Sequence, residues 1–377
     1  MSNKYISQTT YNNTAERPPY IEQLRAESRG LPYRPARRKK PEPEPPDPEA
    51  ARNLFTVCTG KRWMELGERE PEAKMLFGEF WYEGEICILF ADTNTGKSAL
   101  SVQIGTNIAL AKATGPFACR AKSASVLYID FELSTGQFYM RYSDGQSEYN
   151  FPGNFFRAQF NSGFEVPTGF KSYDDFIIAG IEYKIKTVNA TVLIIDNITC
   201  LRGGTESASV ALKLMNNLKS LAKQYNLSIL VLAHTPKRSQ AKPLSADDLH
   251  GSKLLINFAD SAFTMGKSAT DKSLCYLKQI KQRNTRQVYG EDNVCLCRIS
   301  KEPLSYTSTG NFLHFKFEGS STESRHLRPS ARHNQSTAGR VQLAAKIAGL
   351  SAEGLTQRQI AGQLQISVGT VNKIIRG

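Results

Sequence analysis

Four stretches, 86–90 (ICILF), 126–132 (VLYIDFE), 191–195 (TVLII) and 227–233 (LSILVLA), are apolar with little alternation. That is the pattern of strands covered on both faces of a parallel sheet. Helical patterns lie between them. Ala99, Leu100, Val102, Ile104, Ile108 and Ala109 follow the first strand at helical spacing, and 136–141 reads as a short helix. A helix over 172–186 opens on Ser172 with Asp174 and Asp175 behind it, and puts Phe176, Ile177, Ile181 and Ile185 on one face. A longer helix is expected over 207–225 and a further strand over 155–160, with Trp81 and Tyr82 packed at the entry to the first strand. This alternation predicts an α/β fold with a mostly parallel sheet. Beyond it, the runs 273–280, 294–299 and 312–317 come at shorter intervals, as antiparallel strands added at the sheet edge would.

The two ends are patterned differently. Residues 1–49 are polar, proline-rich and poor in aliphatics, and pass from a basic cluster (RPARRKK) to an acidic polyproline-like run. They read as a tail and linker, the basic cluster being either a solvated arm or a nucleic-acid contact. Residues 50–318 then form the main domain, 319–337 a Ser-, Arg- and His-rich second linker, and 338–377 a compact helical unit. In that unit 340–347 is a first helix, and Thr356 with Gln359 forms a capping box with Leu355 as staple. The second helix carries Ile360, Ala361 and Leu364; Gln365 and Ile366 turn the chain; Ser367 caps a last helix with Val368, Val371, Ile374 and Ile375 inside. This is helix-turn-helix spacing. Arg358, Ser367, Gly369, Thr370, Asn372, Lys373 and Arg376 face outward, where they suit groove and phosphate contacts on duplex DNA. A protein-docking module is the alternative.

Composition narrows the class. The chain of 377 residues, 40% hydrophobic, is long enough for one large domain and a small one. No run of about 18 apolar residues spans a membrane, and the opening MSNKYISQTT lacks the apolar core of a signal peptide. The seven cysteines are scattered through strand-like segments, as reduced thiols in a cytoplasm would be. A net charge of +13 favours a polyanionic partner.

The chemistry is concentrated where the first strand breaks. ADTNTGKS at 91–98 has Walker A spacing, so Asp92, Thr93, Asn94, Thr95, Gly96, Lys97 and Ser98 are expected to bind nucleotide. Backbone N–H groups at a helix N-terminus cradle the phosphates, Lys97 reaches the β- and γ-phosphates, and the Ser98 hydroxyl sits on Mg²⁺. Ala91 replaces the first glycine of the motif and must keep a negative φ. ATP and Mg²⁺ are the expected cofactors, and an accidental surface turn is the alternative. Asp196, after four aliphatics, has the Walker B position and would share the metal with Ser98. His234 ends the fourth strand, where it either reads the γ-phosphate or is simply a polar strand end. The stretch 236–250 has no apolar period and carries Lys237, Arg238 and Lys242, a mobile basic loop expected to contact single-stranded DNA.

The order of P-loop, strand with terminal glutamate, strand ending in Asp196 and strand ending in His234 resembles RecA/DnaB-like ATPases, particularly the RepA-type helicases of plasmids and mobile elements. The resemblance covers roughly 50–319. It implies a RecA-like core and a homo-oligomer, a hexameric ring, hydrolysing ATP between subunits. It makes Glu132, in FELS, the residue that polarises the attacking water, with Gln137 and Arg141 following as in that family's helix. His250-Gly251-Ser252 with Ala259-Asp260 is similar to the return after the DNA-facing loop. Lys281-Gln282-Arg283-Asn284 is similar to the basic pair that reaches the neighbour's γ-phosphate; at i and i+2 on a strand, Lys281 and Arg283 point the same way. An exposed charged strand end is the alternative for that pair. The segment TQRQIAGQLQISVGTVNKII is similar to the helix-turn-helix of response regulators and resolvases. No primase-docking domain of the DnaB type is found, so the expectation is a DNA-dependent ATPase serving replication or mobilisation of a mobile element. An ATP-switched DNA-binding regulator and a RecA-like recombination factor are the alternatives.

Overall fold

The computed structural model describes residues 55–144, 147–161, 163–198, 208–249, 254–301, 312–329 and 337–375. Expectations placed on 1–49, 201–205, 250–252 and Arg376 lie outside these residues. The chain divides into two units, Met1–Glu70 and Pro71–Gly377. In the first, helix α1 (Gly60–Glu68) starts where the Thr59 side chain accepts from Arg62 N, and none of its residues is buried.

The second unit opens with a small hairpin, β1 (Met75–Phe77) and β2 (Trp81–Tyr82). It continues through β3 (Ile86–Ala91), α2 (Lys97–Ala109), β4 (Val126–Asp130), α3 (Thr135–Tyr142), β5 (Phe155–Gln159), α4 (Tyr173–Val188), β6 (Val192–Asp196), α5 (Ala208–Tyr225) and β7 (Ser228–His234). After α6 (Leu254–Phe258) come β8 (Ser261–Lys267), β9 (Leu274–Lys281), β10 (Val294–Ser300) and β11 (His314–Ser321). These nine larger strands form one sheet in the order β11-β10-β9-β8-β3-β7-β6-β4-β5. From β8 to β5 every pairing is parallel, and β9, β10 and β11 add antiparallel.

The unbroken apolar runs follow from burial on both faces. Along β3, Cys87, Leu89 and Ala91 enter one core while Ile86, Ile88 and Phe90 enter the other. The second core is closed by Ile177, Ile181 and Ile185 of α4 and by Leu214, Met215, Leu218 and Leu221 of α5. The first holds α2, buried almost all round. Gly105 lets this helix seat against the sheet, since a Cβ there would stand 2.8 Å from Ile194 Cδ1. On its outer side Gln103 Nε2 donates to Phe315 O (3.1 Å) and Gln103 Oε1 accepts from Phe315 N (2.7 Å), so edge strand β11 lies against the helix.

One strand was not expected, and two expectations need correction. Strand β8 pairs directly with β3, yet its SAFTMGK has small and polar residues where the other inner strands have aliphatics, so the pattern did not announce it. The second linker does not start at 319: β11 runs to Ser321, and a 3₁₀ turn, Glu323–His326, buries Glu323 and His326 in the core. The stretch 236–249 is anchored rather than loose. Leu244 and Leu249 are buried, and Ser245 opens a 3₁₀ turn at Ala246–Asp248.

Three helices follow: α7 (Thr337–Ala352), α8 (Gln357–Gln363) and α9 (Val368–Ile375). Ile347, Ile360, Ala361 and Val371 form their small core, with Ile374 packed against it. The Thr356–Gln359 capping box is present, Gln365 turns in the left-handed region at φ 52°, and Ser367 Oγ accepts from Thr370 N (3.1 Å). Val368 and Ile375, expected inside, are 42% and 44% exposed. They share the face of Val371 but are the first and last residues of the helix, beyond the small core that Val371 and Ile374 meet.

Candidate nucleotide site

Parallel register gathers the chemistry on one edge. Ala91 of β3 is level with His234 of β7, and Asp130 of β4 is level with Asp196 of β6. The carboxyl ends of these strands are where open α/β sheets hold ligands. Between β3 and α2 the loop turns through Asn94 at φ 59° and Gly96 at φ 96°. Ala91 stays in the strand, outside the left-handed region. A Cβ on Gly96 would stand 2.5 Å from Ile299 Cδ1 and 2.8 Å from Phe315 Cζ, so only glycine closes the cradle. Thr95 Oγ1 donates to Asp92 O (2.5 Å) inside the loop.

Lys97 Nζ donates to Ala91 O (2.8 Å) and Asp92 O (3.0 Å) and lies 3.2 Å from His234 Nδ1. Burial pulls its ammonium down to about 8, against support from the carboxylates of Asp196, Glu132 and Asp92. Loss of water disfavours its charged form, and the negative charge of an incoming polyphosphate would offset that. Asp196 is buried, and loss of water pushes its carboxyl up; hydrogen bonds from Ser98 and from Tyr128 oppose this. Tyr128 Oη donates to Asp196 Oδ2 at 2.5 Å.

Glu132 stands beside His234 and Asn197. His234 Nε2 lies 3.3 Å from Glu132 Oε1, Asn197 Nδ2 donates to the same oxygen, and Asn197 Nδ2 is 3.0 Å from His234 Nε2. The hydrogen bond from His234 chiefly holds the Glu132 carboxyl below the usual range, although partial burial raises it. The shift keeps the carboxylate ionised, the form that can accept a proton from water, while making it a weaker base. Its turn is fixed by Asp130, whose Oδ1 accepts from Glu132 N (3.0 Å) and Leu133 N (2.9 Å) and whose Oδ2 accepts from Arg157 Nε (2.9 Å).

Thus Lys97, Ser98, Glu132, Asp196 and His234 are brought together, with Asp92, Thr95 and Gly96 in the loop and the exposed Thr93 and Asn94 at its tip. Sequence reasoning missed Asn197, Tyr128, Asp130 and Arg157. The first has a signal in its place directly after Asp196; the others depend on the β4–β5–β6 register. The residues fit a magnesium nucleotide: a glycine-dependent cradle, a desolvated ammonium, and a hydroxyl already paired with a buried carboxylate.

Lys281 and Arg283 are not in this cluster. Lys281 pairs with Ala262 in β8, level with Ile88 of β3, roughly 10 Å of strand short of the P-loop. The two do point the same way: Lys281 Nζ donates to Ile256 O (2.7 Å) and Asn257 O (3.1 Å), and Arg283 Nη2 donates to Asn257 O (3.4 Å) and Nη1 to Asp260 Oδ1 (2.9 Å). Of the basic loop, Lys237 and Lys242 are exposed, but Arg238 is not available as expected. Its Nε pairs with Asp248 Oδ1 (2.9 Å), its Nη2 donates to Lys242 O and Pro243 O, and its side chain is 10% exposed. In α8 and α9, Arg358, Ser367, Gly369 and Lys373 are exposed and Thr370 and Asn372 half-buried.

The mostly parallel sheet, the loop and the acids at its carboxyl edge are consistent with a P-loop NTPase core. Residues 56–240 match the family model described as an AAA domain, which supports nucleotide binding and ATP hydrolysis. No curated protein matches the chain. No helix among the described residues is long and apolar enough to cross a membrane.

Proposed function

We propose that this chain is an oligomeric, DNA-dependent ATPase of the RepA-helicase kind, serving replication or mobilisation of a mobile element. The observation that carries the reading is the division of cations between two edges of one sheet: Lys97 with Glu132, Asp196 and His234 on one, Lys281 and Arg283 on the other. In this reading each site is completed by a neighbouring protomer. Lys97 holds the β- and γ-phosphates, while Ser98 and Asp196 hold Mg²⁺, which when bound neutralises phosphate charge. Glu132 orients the attacking water and accepts its proton. His234, in contact with both Lys97 and Glu132, senses whether the γ-phosphate is present. Lys281 and Arg283 of the next protomer stabilise charge on the transferring group. Lys237 and Lys242 grip single strands through phosphates, and α8 and α9 act as a helix-turn-helix on duplex DNA through Arg358, Ser367, Gly369, Thr370, Asn372 and Lys373. The test is ATP hydrolysis with and without single-stranded DNA, coupled to unwinding of a forked duplex. Stimulated hydrolysis with unwinding supports the proposal. Stimulation without unwinding moves the reading to an ATP-switched regulator, and absence of hydrolysis overturns it.

A further inference from the structure

The phosphate loop carries a negative charge of its own. Asp92 is its second residue, and its carboxylate is close enough to Lys97 to help hold that ammonium up. A carboxylate in a cradle meant for a polyanion opposes the ligand unless something holds and partly satisfies it. Thr235 does both. Its hydroxyl donates to Asp92 Oδ1, and its backbone N donates to Ala91 O (3.1 Å). The same residue follows His234, whose ring contacts Lys97 and Glu132. The loop's acid is therefore fastened sideways to the end of the neighbouring strand β7.

We propose that Thr235 is a positioning residue for the nucleotide: it holds the Asp92 carboxylate against the end of β7, so that the loop accepts the β- and γ-phosphates beside an acid of its own. Without the hydroxyl the carboxylate is free to turn into the cradle and repel the ligand in proportion to its charge. Thr235 acts through Asp92 on binding, whereas Glu132 and His234 act on the hydrolytic step.

The proposal rests on the nucleotide-site reading, and the experiment separates the two failures. Binding of ATP, ADP and AMP to full-length protein is measured with Mg²⁺ at two salt concentrations, alongside steady-state hydrolysis. No nucleotide binding by the wild type would overturn the site reading itself. With binding established, Thr235→Val is expected to raise the ATP Kd about tenfold, the size of one lost hydrogen bond to a charged group. The loss should shrink from ATP to ADP to AMP and at high salt, with kcat within about threefold of wild type. Thr235→Ser should restore affinity. Adding Asp92→Asn to Thr235→Val should recover most of the loss, because an amide carries no charge to repel phosphate. Equal weakening for all three nucleotides, or an undiminished loss in the Asp92→Asn background, would overturn the proposal, since a merely structural threonine behaves that way. Should Thr235→Val not fold, Thr235→Ala takes its place: a loss graded from ATP to AMP and recovered by adding Asp92→Asn supports the proposal, and an equal or unrecovered loss overturns it.

Discussion

Replacing Glu323 by alanine should destabilise the α/β core by about 3–5 kcal/mol, although the residue lies in a stretch that reads as a linker. The magnitude follows from what Glu323 holds. Its Oε2 accepts from Lys278 Nζ at 2.5 Å, and its Oε1 accepts from Leu244 N (2.7 Å) and Tyr276 Oη (3.1 Å). The Lys278 side chain is 4% exposed; its other partners are Leu244 O (2.8 Å) and the largely solvated Glu291 (3.2 Å). Removing Glu323 leaves the buried ammonium with a backbone carbonyl and the solvated carboxylate of Glu291, and breaking the buried side of such a pair costs the amount given. For a core of this size, about 2–4 °C in Tm per kcal/mol translates this into roughly 6–20 °C. Thermal and urea unfolding of full-length Glu323→Ala give the number, and Glu323→Ala with Lys278→Met should recover most of it by removing the stranded charge. A single variant melting within about 2 °C of wild type, or a double variant no better than the single, would refute the ion-pair argument.

Four further outcomes follow from the site. Glu132→Gln should bind ATP within about threefold of wild type but lose about 10²–10⁴ in turnover, since the shape beside Asn197 and His234 is kept and only the base is removed; near-normal phosphate release would take Glu132 out of the mechanism. Because the ammonium of Lys97 is held down to about 8, it is protonated with or without nucleotide below that pH, whereas above it binding must take up a proton. ATP affinity should then be flat in this range of pH up to about 8 and fall by up to about tenfold per unit above it, and calorimetry in two buffers that shows no proton uptake at pH 9 would contradict this. Gly96→Ala should cost the fold about 1–3 kcal/mol and abolish binding, because its Cβ meets Ile299 and Phe315 at a positive φ; a nucleotide-competent variant in a binding titration would count against the cradle. Arg283→Ala, slow alone, should regain turnover when mixed with Glu132→Gln protein, as some interfaces then combine two intact halves; no rescue despite proven mixed assembly would count against the trans role.

Much of the core was legible because burial on both faces of a parallel sheet leaves an unbroken apolar signature. The strands bearing Ala91, Asp130, Asp196 and His234 each show it, and parallel register then aligns their ends. Strand β8 was illegible for the converse reason: Ser261, Thr264 and Gly266 meet hydrogen-bonding or close-packed neighbours instead of an apolar layer. Ser261 Oγ donates to Glu85 Oε2 (2.7 Å), Thr264 Oγ1 donates to Phe90 O (2.8 Å), and Gly266 leaves room for the Tyr276 ring. Polar residues whose partners lie far along the chain carry no local period. Glu323 bonds to residues 45 and 79 positions away, which is why its segment resembled a solvated linker. Arg238 was misread similarly, since its composition suggests a free cation and only the fold supplies Asp248.

The resting partners of Lys281 and Arg283 bear on the trans reading more than their distance from the P-loop does. Arg283 is half exposed and pairs with Asp260, itself partly solvated, an interaction worth about 0–1 kcal/mol. Among the described residues Lys281 donates only to neutral carbonyls, and burial, with Arg283 beside it, lowers the affinity of its amine for a proton. Neither cation is held by a partner strong enough to compete with a triphosphate. Asp260 has a second role that would survive the exchange, because its Oδ2 accepts from Ile86 N (3.0 Å) at the start of the P-loop strand while its Oδ1 takes Arg283. Withdrawal of Arg283 toward a neighbour's phosphate would leave that hydrogen bond in place. The edge that carries the cations is thus fastened to β3 independently of them, and they can exchange partners without loosening the strand on which the nucleotide loop is built.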